Sequence, residues 1–247
     1  MKRLLAAEFL KLRTLRSTWG FALIAVLFAG LVTAGNIGGT QEQDRFDPEL
    51  QFRIVLDGAF PATILALLMG VILVTNEFRH GTIARTLLAT PRRSRLVAVK
   101  LLTGAATGAG LMLGMFVVIA STAVIWLGIL DVPLEPGEAA DGAWRALIVV
   151  VIAGILGAAI GGAVHSQVGA LVGALVWMFV LEPISWALLG LVDLDGVAEY
   201  LPAAALGGAV DSTSEGLSWE RSVGVALAWT ALAALLALFR TGRRDIT

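Results

Sequence analysis

The sequence predicts an all-α integral membrane protein with six transmembrane helices. Three observations lead there. Of 247 residues, 57% are hydrophobic and only 15% are charged, against about 25% charged in soluble domains. Several uncharged runs exceed the ~20 residues that a helix needs to cross a bilayer. These runs do not alternate polar and apolar residues, as the strands of a membrane barrel would. Mean hydropathy is +0.85. The chain has no cysteine, which excludes disulfides, thiolate chemistry and cysteine-ligated metal sites.

The elements follow in order. In residues 1–18, Leu5, Phe9 and Leu12 share one helical face among basic residues, with Arg16 falling on the same face. The pattern predicts a short helix lying in the membrane interface. A secretory signal ending near Val32-Thr33-Ala34 is the competing reading, and its basic region would be unusually long. The spans are expected at about 19–39, 59–76, 101–130, 146–164, 168–191 and 222–239. The third is longer than a bilayer requires and must tilt or overhang. The uncharged stretch Ala146 to Leu181 is too long for one span, so a tight turn is placed at His165-Ser166-Gln167. Gly104/Gly108, Gly110/Gly114, Gly157/Gly161 and Gly169/Gly173 are spaced so that helix backbones can approach closely. Everything belongs to one transmembrane domain, 1–247.

Charge sets the expected orientation. With residues 1–18, 77–100, 165–167 and 240–247 inside, the inner segments hold 14 Lys/Arg and 3 Asp/Glu. The remainder holds 4 Lys/Arg and 16 Asp/Glu. Lysine and arginine translocate poorly, so both termini are expected in the cytoplasm. The acidic segments 40–58, 131–145 and 192–221 then lie outside.

The segment 77–100 is the most informative stretch. Arg79, Arg85, Arg92, Arg93, Arg95 and Lys100 accompany one acid, Glu77. Gly81-Thr82 can end the second span, with Thr82 as an N-cap for a new short helix. Ile83, Leu87 and Leu88 give that helix one apolar face, and Pro91 stops it. Arg92, Arg93, Arg95 and Lys100 re-enter the membrane, where they would sit among anionic headgroups and set topology. This is the pattern of a handle for a cytoplasmic partner, with Arg85 adding a polar contact.

Chemistry is sparse elsewhere. There is no GxxxxGK[ST] and no HExxH motif, and only His80 and His165 represent histidine. Gly216-Leu217-Ser218 superficially resembles a membrane serine-protease motif, but both histidines lie at the other side of the membrane, away from any role as its base. Glu182 is the one candidate for a charge within a span. It lies about 21 Å along the fifth helix, beyond the midplane. Pro183 should kink or break the helix there, and 183–190 is expected to form a short re-entrant piece. Two readings of Glu182 stand: it lines an exit path or gate with Pro183, or it satisfies freed backbone groups or sits in headgroup water.

The order Glu77, Gly81-Thr82, Leu87-Leu88, Pro91, Ser94-Arg95, Lys100 resembles the permease subunits of type-2 ATP-binding-cassette (ABC) exporters. The opening EFLKLRTLRSTW, the six-span layout, Glu182-Pro183 and Tyr200-Leu201-Pro202 support the resemblance. It implies the type-2 exporter fold, with residues 1–18 as the connecting helix and a cytoplasmic coupling helix within 77–100. By that resemblance Glu77, Gly81, Thr82, Ile83, Arg85, Leu87, Leu88 and Pro91 would dock on a separate ABC ATPase. ATP and magnesium would belong to that subunit, leaving this chain without a cofactor, metal or catalytic residue of its own.

The expected assembly is a homodimer of permeases with two ATPases in a bacterial plasma membrane, and no nucleic acid. The expected activity is export of a drug, antimicrobial peptide or lipid-like molecule. An ion-coupled secondary carrier would need ionisable residues near the midplane, and none is found. A membrane sensor that borrows a permease-like fold is the remaining alternative.

Overall fold

In hydrocarbon each backbone N–H and C=O must be satisfied within the segment, so the long apolar runs become helices. The computed structural model describes residues 7–8, 10, 12, 16–40, 48–81, 93–133, 136–210 and 216–242. All regular structure among these residues is helical. The long helices are α1 (Arg16–Gly39), α2 (Pro48–Arg79), α3 (Arg93–Ile129) and α4 (Pro136–Val164). The fifth span is composite: α5 (Gln167–Val176), a π turn (Trp177–Leu181) and α6 (Glu182–Gly190). Two short helices follow, α7 (Asp195–Ala198) and α8 (Pro202–Val210), then the last span, α9 (Trp219–Gly242). Six helical stretches are long and apolar enough to cross a membrane.

The helices extend past the apolar runs. The second was expected to end at 76 and runs to Arg79, while the third begins at Arg93 rather than 101. At about 1.5 Å per residue, the 37-residue α3 is about 55 Å long, well beyond a ~30 Å hydrocarbon core. Hydropathy marks where lipid is, whereas hydrogen bonding decides where a helix stops. The segment expected as a loop over 77–100 therefore begins and ends inside helices. In the same way, α4 starts at Pro136 within the expected 131–145 segment, and 192–221 contains α7 and α8.

α2 and α4 are the inner helices, most extensively packed on one another. α3 and α9 flank α4, and α1 packs on α2 and α3. Close approach is made by glycine. A β-carbon on Gly157 would overlap the carbonyl of Leu67, and one on Gly104 would stand 2.5 Å from the Gly154 oxygen. Of the four spaced pairs, Gly104/Gly108 and Gly157/Gly161 lie in these contacts. Gly110, Gly114 and Gly173 face open space, and Gly169 meets only the side of Ser166 and Val164. Gly70 and Gly154 complete the seam instead.

The turn placed at 165–167 is observed. His165 adopts φ 58° and ends α4, and the Ser166 hydroxyl accepts from Gly169 N at 3.2 Å to cap α5. Pro183 follows directly on an interruption of the fifth span, the π turn that separates α5 from α6. It occupies the first turn of α6, where its missing N–H is not needed, and the π turn before it absorbs the mismatch with Glu182 N donating to Trp177 O. The chain folds back along the last span further on. Trp229 Nε1 donates to Tyr200 O at 2.9 Å, while Gly208 lies beside Ser222. α8 therefore starts level with Trp229, partway along α9, and runs antiparallel to it.

Candidate functional site

The basic end of the bundle is built around Lys100. This residue is 4% exposed and belongs to the second turn of α3. Its ammonium donates to Glu77 Oε1 at 2.5 Å and to Glu8 Oε1 at 3.0 Å. Both carboxylates are as buried as the lysine. Three segments meet here: the N-terminal segment, the last turns of α2 and the start of α3. Beside the ion pair, Leu12 packs with Phe78 and Leu101 against Leu73, Val74 and Ala158. Charge and apolar contact thus fix the N-terminal segment to the same place.

α2 ends two residues later in an ordinary way. His80 N donates to Asn76 O at 3.0 Å, and Gly81 leaves the helix with φ 64°. That left-handed conformation is open to glycine without steric penalty. The exposed Arg79 donates to Gln167 Oε1 at 3.1 Å, across to the start of α5. The Phe78 ring stands edge-on to His165, with centroids 4.5 Å apart. Arg240 closes this end by donating to Ala163 O at 2.8 Å.

The opposite half of the bundle carries the second buried acid site. Glu182 is 3% exposed. Its carboxylate accepts from Trp177 Nε1 at 2.8 Å, from Ala203 N at 3.0 Å and from Ala204 N. Ala203 and Ala204 open α8, so Glu182 caps a helix N-terminus that would otherwise leave N–H groups unsatisfied in an apolar setting. Next to it, a recess of about 830 Å³ is lined by Asp57, Phe60, Trp186, Glu199 and Ala204 among others. Asn36 holds Asp57 from α1 at 2.9 Å. A narrower apolar cavity of about 250 Å³ lies between α4, α5, α8 and α9, walled by Trp177, Leu206 and Trp229.

With this geometry in place, the comparison with known families can be read. Residues 4–136 match the model of a family described as "ABC-2 family transporter protein". The chain belongs to this family. No match was found among curated proteins. The matched region is just over half the chain, and it contains Glu8, the basic segment and Lys100. This ABC-2 protein is a multi-pass membrane protein, the permease component of an ABC transporter.

The sequence-derived residues distribute unevenly over the ABC-2 chain. Thr82, Ile83, Arg85, Leu87, Leu88, Pro91 and Arg92 lie outside the described residues. Glu77 was expected on a docking surface, and Lys100 among headgroups. Both are buried and paired with each other, because Lys100 faces the bundle and finds carboxylates there. Arg93 opens α3, and Arg95 on its first turn is exposed. Gly81 terminates α2. Glu182 reaches the recess only through Ala204, and Pro183 sits in the first turn of α6.

Glu8 was missed. The signal was available: residues 1–18 and 77–100 are strongly basic, and each holds one acid, Glu8 and Glu77. An isolated acid in a basic membrane-surface segment has no electrostatic reason to be there unless it answers a particular cation.

Proposed function

We propose that this ABC-2 permease is the transmembrane half of an ATP-driven exporter. The observation that carries the reading is the family match over 4–136, a region holding the basic segment whose apolar Ile83/Leu87/Leu88 face suits a cleft on another subunit. The lysine and arginine bias supports a cytoplasmic basic end and an external acidic end. A separate ABC ATPase docks on 82–91, with Arg85 adding a polar contact, and supplies ATP and magnesium. The permease contributes no catalytic residue.

Two permease copies work with two ATPases in a bacterial plasma membrane. Abundant Ala, Gly, Val and Arg with only three lysines support a bacterial source of high GC content. The cargo is an amphipathic molecule, a drug, antimicrobial peptide or lipid-like compound, and the recess near Asp57 and Trp186 is its exit side. Carboxylates and aromatic rings there suit a cargo with cationic and apolar parts.

The test is a pull-down of the tagged chain from native membranes in mild detergent. A P-loop ATPase is expected to co-purify, and to be lost when Leu87→Asp and Leu88→Asp are introduced together. The variant should still insert, since neither residue lies in a span. A correctly inserted parent chain that brings down no ATPase would favour the membrane-sensor reading instead.

A further inference from the structure

We propose that Lys100 is a positioning residue that clamps the N-terminal segment and both stems of the 82–92 segment into one moving unit. A buried charge pair is weak evidence for stability, because apolar residues of similar volume often serve as well or better. An anchoring lysine at a membrane entry needs no carboxylates at all and would reach for headgroups. Lys100 instead turns inward and donates to Glu8 Oε1 and Glu77 Oε1, with all three side chains at most 5% exposed.

What the arrangement supplies is registry. An ammonium offers three donors from a single point, so one side chain fixes two partners that are 92 and 23 residues away in sequence. Glu77 stands two residues before the end of α2, and Lys100 seven residues after the start of α3. The pair therefore closes the base of the connection between them. Glu8 then ties in the N-terminal segment. Separating any one of the three would break a buried, charge-assisted contact, so a pull on the connection moves α2, α3 and the N-terminal segment together. The mechanical consequence, that force from an ATPase reaches all three at once, rests on the docking reading above. The clamp itself does not.

The absence of native cysteine makes the test direct. Nitroxide pairs are placed on the full chain in lipid nanodiscs at exposed positions, one pair at Leu10 and His80, the other at His80 and Ser94. Pulsed electron resonance reads the distance distributions. The parent should give one narrow distribution for each pair. Lys100→Met should lose both, and Lys100→Arg, which can still serve two carboxylates, should keep both. Glu8→Ala should lose only the Leu10–His80 distribution, because Glu77 and Lys100 remain paired.

That selective loss separates a clamp from general loosening, and it stands even where Lys100→Met does not fold. Unchanged widths in Glu8→Ala, or loss of both pairs together, would overturn the proposal. An ATPase that binds none of the chains, the parent included, overturns the docking reading and leaves these distances to judge the clamp.

Discussion

The two halves of this permease bury acid in opposite ways. At the basic end, Glu8 and Glu77 are answered by a full positive charge on Lys100. In the acidic half, Glu182 is answered by peptide N–H groups and an indole, with no cation among its hydrogen-bond partners in the described residues. The first arrangement joins three segments that are independent in sequence. The second fixes a local reversal, holding the start of α8 against the π turn of the fifth span. A charge pair has long reach and suits the joining of moving parts. A carboxylate on a helix N-terminus has short reach and suits a rigid cap, because the dipole effect fades within one turn.

The largest break in this comparison is Lys100→Met. It removes the ammonium that Glu8 and Glu77 share, and removing one partner of a buried pair typically costs about 3–5 kcal/mol. Thermal unfolding of the purified chain should fall sharply, and Lys100→Arg should recover most of the loss. A Met variant as stable as the parent would show that the carboxylates are satisfied without Lys100.

Glu182→Ala comes next. It leaves the part-buried donors Ala203 N, Ala204 N and the Trp177 indole without their acceptor, and a stranded donor costs up to about 1–3 kcal/mol where it is fully buried. Glu182→Gln keeps an acceptor oxygen and should lose less. The sharper readout is local: limited proteolysis between α6 and α8 should speed up in the Ala variant while the basic end stays protected. Equal loss of protection at both ends would mean that the two sites are not independent.

The smallest effect is Trp229→Phe. It deletes one indole hydrogen bond to Tyr200 O, worth about 0.5–1.5 kcal/mol. It should add to Glu182→Gln in a double mutant if cap and indole hold α8 separately. A double mutant no worse than Glu182→Gln alone would place them in one network.

Much of this was legible in the sequence, for identifiable reasons. The spans were readable because lipid demands uninterrupted apolar runs, and Gly81 because a helix end commonly calls for glycine. The turn at His165 was readable because 36 uncharged residues are too many for one crossing. Gly110/Gly114 carried the same spacing as Gly157/Gly161 yet faces open space, because spacing marks a face of a helix and not what lies opposite. Lys100 was read from its place at the membrane entry, and its inward rotamer could not be. The sequence offers backbone groups as one kind of partner for Glu182. The groups proved to belong to α8, some twenty residues on, rather than to the turn beside Pro183.

The sequence by itself determined the six apolar crossings, the charge asymmetry between the two ends and the basic segment with its family pattern. These depend on composition along one stretch of chain, where solvent preference and helix periodicity act locally. Only the tertiary structure decided which acid meets which cation, which glycines touch a neighbour and where the chain folds back along the last span. Those depend on distances between segments up to 92 residues apart, which packing sets and no local pattern encodes.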